Sequence, residues 1–393
     1  MSRTLKIFLI SFVSITVLIL SLYYFNKLSP IYQLNQATAK FIDYQETPLN
    51  LPSLKAQDCG ICHIEIYQEW KQSLHSEAFH DPYFQAYLKK DNNDPTCLVC
   101  HTPLANQAEN ILLSHDNYQS VQIVANHRFD RKLQSEGVTC AACHVRNGIV
   151  YGPYLVESMD APHPVAYDPK FTNKSICLQC HEVPAKKFSL LKEGICSTGA
   201  ESQVGPWAKA GYICQNCHMP EVNRPLMAGF PSRPGRKHLW PGGFSKQQLQ
   251  KVFKFQAKYE NNRLYLTITN AGAGHKVPTG DSDRFIRLKF YWQTPNQPEH
   301  LLDEVEFKRQ MLWQPIIMEW SDNRLEPGQS LNLAWPLLST NGKLVVQGTY
   351  HVMSEWSKNR LERKFGLSRS LDNKWAINRP FIIDREIPIV NLP

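Results

Sequence analysis

The sequence predicts an α+β protein in three parts, and three patterns support this prediction. The 19 residues from Ile7 to Phe25 carry no charge, which predicts a membrane-spanning helix within residues 1–30. All eleven cysteines lie between residues 59 and 217, among short helical patterns and many Pro, Gly and Asn residues, which predicts a mainly helical and loop-rich domain at 31–248. Residues 249–393 lack cysteine and alternate apolar with polar residues, which predicts a β-sandwich-like domain.

The composition and charge exclude several classes of protein. The 393 residues are 42% hydrophobic and 20% charged, which excludes a disordered chain, a collagen and a coiled coil. The net charge is +8, because 43 Lys and Arg residues face 35 Asp and Glu residues, but the basic residues form no dense run. We therefore expect no nucleic-acid partner.

The cysteines follow a fixed pattern: ten of them form five Cys-x-x-Cys-His motifs, which begin 37 to 43 residues apart. This spacing is typical of covalent haem attachment, in which two thiols add to the two vinyl groups of one porphyrin and the adjacent imidazole becomes the proximal iron ligand. The sequence therefore predicts five covalently bound haem c groups. We call the motifs 1 to 5 in chain order. The predicted attachment residues are Cys59, Cys62, Cys97, Cys100, Cys140, Cys143, Cys177, Cys180, Cys214 and Cys217, and the predicted proximal ligands are His63, His101, His144, His181 and His218.

Other uses of Cys-x-x-Cys pairs fit less well. A zinc site needs two such pairs, and five is an odd number. Neither a zinc site nor a redox-active dithiol requires a histidine directly after every second cysteine, as occurs here five times in five. Cys196 remains outside the motifs, and we expect it to be a small buried residue or a free thiol.

The apolar N-terminal segment predicts export of the protein body. Nineteen helical residues span about 28 Å, close to the hydrocarbon core of about 30 Å. Arg3 and Lys6 precede the segment and Tyr23, Tyr24 and Phe25 end it, as in an anchor whose N-terminus stays inside. No Ala-x-Ala-like cleavage site follows. We expect an uncleaved single-pass anchor in the bacterial cytoplasmic (inner) membrane, with the body in the periplasm where c-type haem is attached; a cleaved signal peptide is the alternative.

The pattern of the C-terminal region predicts a series of strands. Phe253, Phe255, Ala257 and Tyr259 alternate with polar residues, the pair at 261–262 is Asn-Asn, and apolar alternation resumes at 264, 266 and 268. This pattern predicts a β-hairpin. Further strands are predicted at 285–292, 330–335, 344–353 and 381–390.

Axial ligation decides between a relay and a catalyst. A second imidazole on an iron fills both axial positions, lowers the potential relative to a methionine ligand and leaves no position for a substrate. Nine histidines lie outside the motifs and are candidates: His75, His80, His115, His127, His163, His238, His275, His300 and His351.

Motif 1 and its continuation carry a family resemblance. The stretch 59–70 followed by Ser73-Leu74-His75 resembles the first haem unit of the tetrahaem cytochrome c-554 family of nitrifiers and its multihaem relatives, the c-552/c-554 domain family. The Trp-x-x-Ser-x-His tail of that unit supplies a distal histidine, which implies this role for His75. Further similar segments, over roughly residues 55–285, are Gly137-Val138-Thr139, Pro162-His163-Pro164, the stretch 237–243 around His238 and the stretch 274–280 around His275.

In these relatives, histidines in short Pro- and Gly-flanked segments are frequent distal ligands. The resemblance thus implies that His75, His163, His238 and His275 are distal ligands, with His275 fixing the β-domain against the haems. His80, His115 and His127 compete for the fifth iron, and a five-coordinate iron is the other outcome. The fifth haem and the long C-terminal β-domain depart from the family pattern, so the pairing of ligands with haems stays open.

Three functional hypotheses follow. The first is a membrane-tethered electron carrier that uses bis-histidine haems between a membrane donor and a periplasmic acceptor, with redox proteins as partners. The second is an oxidoreductase that acts on a small nitrogen or sulfur species at one open haem. The third is self-association through the β-domain. No motif replaces its histidine with lysine, which removes the lysine-ligated site of nitrite-reducing multihaem enzymes. We therefore expect an electron-transfer protein.

Overall fold

The computed structural model describes residues 3–28, 40–90, 93, 97–114, 122–154, 161–183, 191, 193–312, 318–336, 339–365 and 378–390. The first element is the helix α1 (Arg3–Leu28). Its residues Leu5–Leu22 have a mean hydropathy of 2.4 and make no buried contact with the rest of the chain. In length and composition this helix suits a membrane span, and an export signal has the same properties.

Short helices and small sheets make up the motif-bearing region. Helical spacing suits the motifs, because residues three apart share one face of a helix, so that both thiols of a motif point the same way. Motifs 2, 3 and 5 end in α5, α7 and α11, each a single turn. The helices are α2 (Ala56–Cys59), α3 (Ile64–Lys71), α4 (Pro82–Lys90), α5 (Leu98–His101), α6 (Arg131–Gln134), α7 (Cys140–His144), α8 (Ser175–Leu178), α9 (Thr198–Glu201), α10 (Gly205–Lys209), α11 (Cys214–His218) and α12 (Lys246–Leu249).

The strands of this region form three small sheets, and its apolar clusters are small as well. β1 pairs with β2, β3 with β4 and β5, and β6 with β7. The largest buried apolar cluster here has only six residues, among them Leu54, Leu104 and Leu133. A region of this size needs a further source of apolar interior. The strands are β1 (Asn110–Ser114), β2 (Gln122–Ala125), β3 (Val145–Arg146), β4 (Ile149–Gly152), β5 (Val165–Tyr167), β6 (Glu221–Pro225) and β7 (Ser232–Arg236).

Two packed sheets form the C-terminal region. One has the strand order β12-β11-β10-β14-β15 and the other β13-β9-β8-β16. Leu264, Leu266 and Ile268 of β9 pack against Ile286 and Leu288 of β10, and all five side chains are fully buried. The region is therefore a β-sandwich. Its elements are β8 (Phe253–Glu260), β9 (Arg263–Asn270), β10 (Phe285–Gln293), β11 (His300–Leu312), β12 (Met318–Asp322), β13 (Ser330–Pro336), β14 (Lys343–His351), α13 (Glu355–Phe365), β15 (Asn378–Ile387) and β16 (Ile389–Val390).

The predicted α+β fold class is confirmed. The predicted hairpin is β8 and β9, joined by Asn261 and Asn262, both with positive φ as a two-residue hairpin turn requires. The four further predicted strands coincide with β10, β13, β14 and β15–β16. The sequence patterns missed β11 and β12. β11 has many charged residues and buries only Phe307 and Arg309, so it lacks the apolar alternation on which the prediction relied.

Candidate haem-binding sites

The cysteines of the five motifs lie in one contiguous group. Hydrogen bonding between neighbouring thiols lowers the pKa of Cys59 and raises that of Cys140, which joins motifs 1 and 3. The same interaction joins motif 2 to motif 4 through Cys100 and Cys180.

Motif 4 has two further neighbours. Hydrogen bonding with Cys177 lowers the pKa of Cys214 to about 7, which joins motif 4 to motif 5. Cys143 of motif 3 is close enough to Cys177 and Cys180 to act on both electrostatically. Motif 4 is therefore the junction of the group, with motifs 2, 3 and 5 around it and motif 1 beyond motif 3.

Backbone carbonyls fix the orientation of the proximal imidazoles. The Nδ1 of His101 donates to Ala78 at 2.7 Å, that of His144 to Tyr151 at 2.7 Å and that of His218 to Pro241 at 2.7 Å. The Nδ1 of His63 donates to Leu226 at 3.1 Å. Because a carbonyl only accepts hydrogen bonds, Nδ1 carries the proton and Nε2 keeps its lone pair for a metal.

Three of the predicted distal histidines have the same arrangement. The Nδ1 of His238 donates to the Arg236 carbonyl at 2.9 Å, that of His275 to Lys276 at 2.8 Å and that of His163 to Pro164 at 3.3 Å. Burial lowers the pKa of His238 and His275 to about 4 and that of His75 to about 3. These rings are thus neutral at physiological pH, as imidazole ligands must be.

Four of the five proximal histidines each face one predicted distal histidine, and the four distances agree. The ring centres are 6.4 Å apart for His63 and His163, 6.3 Å for His75 and His181, 6.3 Å for His144 and His238, and 6.2 Å for His218 and His275. Two imidazoles that bind opposite sides of one metal, with bonds of about 2 Å and about 1 Å more to each ring centre, lie about 6 Å apart. The residues present therefore fit a bis-histidine haem at motifs 1, 3, 4 and 5.

Motif 2 differs from the other four. Within the described residues, the only ring in contact with His101 is Phe84, stacked on its face at 3.6 Å. His80 and His127, two of the three candidates for the fifth iron, are exposed and contact no motif histidine. The third, His115, lies outside the described residues. The described part of the chain thus offers motif 2 a proximal histidine and no facing imidazole.

The backbone before motif 3 holds His75, a predicted distal ligand. The Val138 amide donates to the His75 carbonyl at 2.9 Å, and Gly137 has a φ of +62°. A Cβ atom at Gly137 would lie 2.6 Å from that same carbonyl oxygen, so only glycine fits. The Gly-Val-Thr segment precedes motif 3 in sequence, but it positions His75, which faces His181 of motif 4.

Glu69 on α3 holds His238, a predicted distal ligand. Its Oε2 accepts the His238 amide at 2.8 Å, and its carboxylate pairs with both terminal nitrogens of Arg224 at 2.8 Å. The ring of Trp240 lies edge-on between two distal ligands, 4.5 Å from His75 and 5.2 Å from His238. The sequence patterns do not predict the contacts of Glu69 with Arg224 and His238 or of Trp240 with His75, because each of these partners is more than 100 residues distant in the chain.

A buried ionic cluster holds His275, a predicted distal ligand. This interdomain cluster joins residues of the motif region to residues of the β-sandwich: Arg324 pairs with Glu201 at 2.9 Å and with Asp322 at 2.8 Å, and Lys276 pairs with Glu193 at 2.7 Å and with Asp322 at 3.2 Å. The side chains of Arg324 and Glu201 are 3% and 1% exposed. Because Lys276 directly follows His275, the cluster fixes the loop between β9 and β10 against the motif region.

Comparison with known proteins agrees with this geometry. Residues 58–145, which contain motifs 1 to 3, match the family model described as cytochrome c554 and c-prime. A penta-heme cytochrome c552 from Thermochromatium tepidum aligns over 86% of this chain and 100% of its own, with a TM-score of 0.58 and 18% identity, which shows a shared fold. A superoxide reductase from Nanoarchaeum equitans matches over 25% of this chain and 79% of its own, with 16% identity and a TM-score of 0.18. No curated protein matches the chain.

The motifs, the paired imidazoles and these matches define the class of protein: the chain is a multihaem c-type cytochrome that binds haem c covalently. Its first three motifs are of the cytochrome c554 type, and a C-terminal β-sandwich is added to the motif region. The predicted family resemblance is thereby confirmed over residues 58–145, and this family match supports electron transfer.

Proposed function

We propose that the chain is a membrane-anchored, exported pentahaem cytochrome that carries electrons between a membrane donor and a periplasmic acceptor. The four histidine pairs at 6.2 to 6.4 Å carry this proposal. Four sites closed by two imidazoles each suit electron transfer, because they leave no axial position for a substrate. The bound haems supply one-electron redox chemistry at iron.

The residues of the chain hold and insulate these groups. The cysteines attach each haem at two points, and the imidazoles with protonated Nδ1 atoms present Nε2 in a fixed direction. The contiguous order of the motifs, with motif 4 at the junction, keeps every site next to at least one other. The α1 helix, whose unburied 18-residue stretch Leu5–Leu22 has a mean hydropathy of 2.4, supports tethering to the cytoplasmic membrane, and we propose that the body lies in the periplasm.

Intact mass and EPR spectroscopy of the oxidised holoprotein test the proposal together. We expect a mass that exceeds 45.2 kDa by five haem masses, and EPR signals that are mainly low-spin with one high-spin minority. Fewer than five haems on mature protein would contradict the predicted count. A mainly high-spin spectrum would contradict bis-histidine ligation at four sites.

One observation favours a second candidate function, an oxidoreductase that acts on a small nitrogen or sulfur species at motif 2. His101 faces no imidazole within the described residues, so the iron there would keep an axial position for a ligand. Titration with CO or NO counts the open sites, and one bound ligand per chain is expected if only motif 2 is open. Turnover of hydroxylamine, nitrite or sulfite by the purified holoprotein favours the enzyme, and one bound ligand without turnover favours the carrier.

A further inference from the structure

Arg284 places an unpaired positive charge beside the histidines of motifs 2 and 4. It directly precedes β10, at the end of the segment 279–284, which hydrogen bonds hold between motifs 2 and 4. Tyr87 of α4, the helix whose Phe84 stacks on His101, donates to Asp283. Thr279 is hydrogen-bonded to Thr198, and the amide of the next residue, Gly199, donates to the His181 carbonyl. Protein atoms enclose the side chain, yet it keeps some accessible surface, as do the two imidazoles. Residues that line a cofactor cleft have this combination of properties.

No described residue accepts a hydrogen bond or forms an ion pair with the Arg284 guanidinium. Tyr350 has the largest effect on the pKa of Arg284, and the two carboxylates that also act on it, those of Asp281 and Asp81, accept the backbone amides of Asp283 and Phe84 instead. A guanidinium is always charged, and an enclosed charge without a hydrogen-bonded partner is strongly destabilising. The position therefore calls for an anion that the side chains themselves do not supply.

The backbone next to Arg284 fixes the direction of its side chain. Gly280 has a φ of +89°, and a Cβ atom there would lie 3.1 Å from Nη1 of Arg284. The Arg284 amide donates to the Asp281 carbonyl at 3.2 Å, which closes the turn between them. The guanidinium is thus packed against a glycine, which leaves it the room that a side chain at position 280 would occupy.

We propose that Arg284 binds a propionate carboxylate of the haem attached at motif 2 or motif 4. Each haem c carries two carboxylates, and a guanidinium recognises a carboxylate through two parallel hydrogen bonds. The pairing adds a positive charge from the β-sandwich next to two iron sites, which favours their reduced forms. This inference rests on haem attachment at these motifs, which intact mass tests separately.

Redox titration of the holoprotein tests the role of Arg284. We expect Arg284→Gln to lower the midpoint potential of the haems at motifs 2 and 4 and to leave the other three unchanged. Arg284→Lys, which keeps the charge but not the planar fork, should give a smaller shift in the same direction. Arg287→Gln is the matched control, because Arg287 lies three residues on in β10 and is already paired with Glu304 and Glu306.

Three outcomes would overturn the proposal. The first is that the midpoint potentials of the haems at motifs 2 and 4 do not change in Arg284→Gln. If Arg284→Gln does not load five haems and Arg284→Lys does, unchanged potentials in Arg284→Lys have the same meaning. The second is a shift that disappears when Asp81 or Asp281 is also changed to Asn, because an aspartate would then be the partner. The third is reversible uptake of formate by dialysed wild-type protein that Arg284→Gln abolishes, because the anion would then be dissociable. Loss of haem from wild-type protein would instead contradict the proposed function.

Discussion

At the scale of single residues, the ligands depend on backbone groups supplied by distant parts of the chain. His101 is oriented by Ala78, His63 by Leu226 and His218 by Pro241. Such outer contacts set the tautomer and the ring direction of a metal ligand. Because each imidazole is oriented toward one site, replacement of a single imidazole should change the EPR signal of that site alone.

Replacement of His275 tests its assignment to motif 5. We expect His275→Ala to open one iron and to add one high-spin EPR signal, because the ring faces His218 at 6.2 Å. His300→Ala is the control, since His300 is exposed on β11 and has no facing imidazole in the described structure. An unchanged spectrum for His275→Ala would show that the residue is no ligand and that the β-sandwich does not serve motif 5.

Replacement of Glu69 tests a positioning role. Burial opposes ionisation of Glu69, but the hydrogen bonds from Arg224 and from the His238 amide outweigh it and lower the pKa of Glu69. We expect Glu69→Gln to destabilise the protein by about 2 kcal/mol, since Arg224 keeps a buried charge with a weaker partner. We also expect the low-spin g-values of the motif 3 haem to shift, because the single amide oxygen of Gln cannot accept from both Arg224 and the His238 amide in the geometry of the carboxylate.

The control for Glu69 is Glu221→Gln. Glu221 is 79% exposed and pairs with Arg236 at 3.3 Å, and a surface pair of this kind contributes little. A loss of stability without any change in the motif 3 EPR signal would show that Glu69 is merely structural.

At the scale of elements, α1 is a separate module with a testable role. Its Leu5–Leu22 stretch makes no buried contact with the body, so the body does not need it for folding. We expect carbonate washing to leave the native protein in the membrane fraction. Replacement of residues 1–27 by a cleavable signal should release a soluble protein with the same haem count. A mature native chain found in the soluble fraction would show instead that the segment is cleaved.

The interdomain cluster gives the docking of the two domains a pH dependence. Burial alone would raise the pKa of Asp322, but hydrogen bonds and charge from Arg324 lower it to about 2. A carboxylate with a depressed pKa stabilises the folded state above its unfolded pKa, and this stabilisation is lost as pH falls toward 2. At neutral pH the shift corresponds to about 2 kcal/mol.

The variant Asp322→Asn removes this contribution. We expect its free energy of unfolding to lie about 2 kcal/mol below that of the wild type at pH 7, and the difference to shrink between about pH 5 and pH 2. Denaturant titrations of both holoproteins at several pH values measure it. Asp303→Asn is a control on β11, since Asp303 has no ionic partner within the described residues and accepts hydrogen bonds from the Trp335 indole at 3.2 Å and the Glu304 amide at 2.8 Å. A difference that does not change with pH would exclude Asp322 as the titrating group.

At the scale of the whole molecule, sequence patterns predict the features that depend on residues close together in sequence. The Cys-x-x-Cys-His spacing predicted the attachment residues, and period-two alternation predicted most of the sandwich, because both depend on neighbours in sequence. The patterns could not pair His163 with His63 or His275 with His218, since those pairs join residues 100 and 57 positions apart through the tertiary fold. They also missed Arg284, whose significance lies in the absence of a protein partner rather than in a motif.

The contiguous order of the motifs leads to a prediction for the whole molecule. The charge on an iron changes by one unit on reduction, and this change acts on neighbouring sites through a medium of low dielectric constant. Removal of the haem at motif 4 by Cys177→Ser with Cys180→Ser should therefore shift the midpoint potentials of three others, those at motifs 2, 3 and 5. Removal of the haem at motif 5 by Cys214→Ser with Cys217→Ser should shift only that of motif 4. Potentiometric titration monitored by EPR on chains shown by mass to carry four haems measures both. If removal at motif 5 shifts as many potentials as removal at motif 4, then motif 4 is not the junction and the order inferred from the neighbouring thiols is wrong.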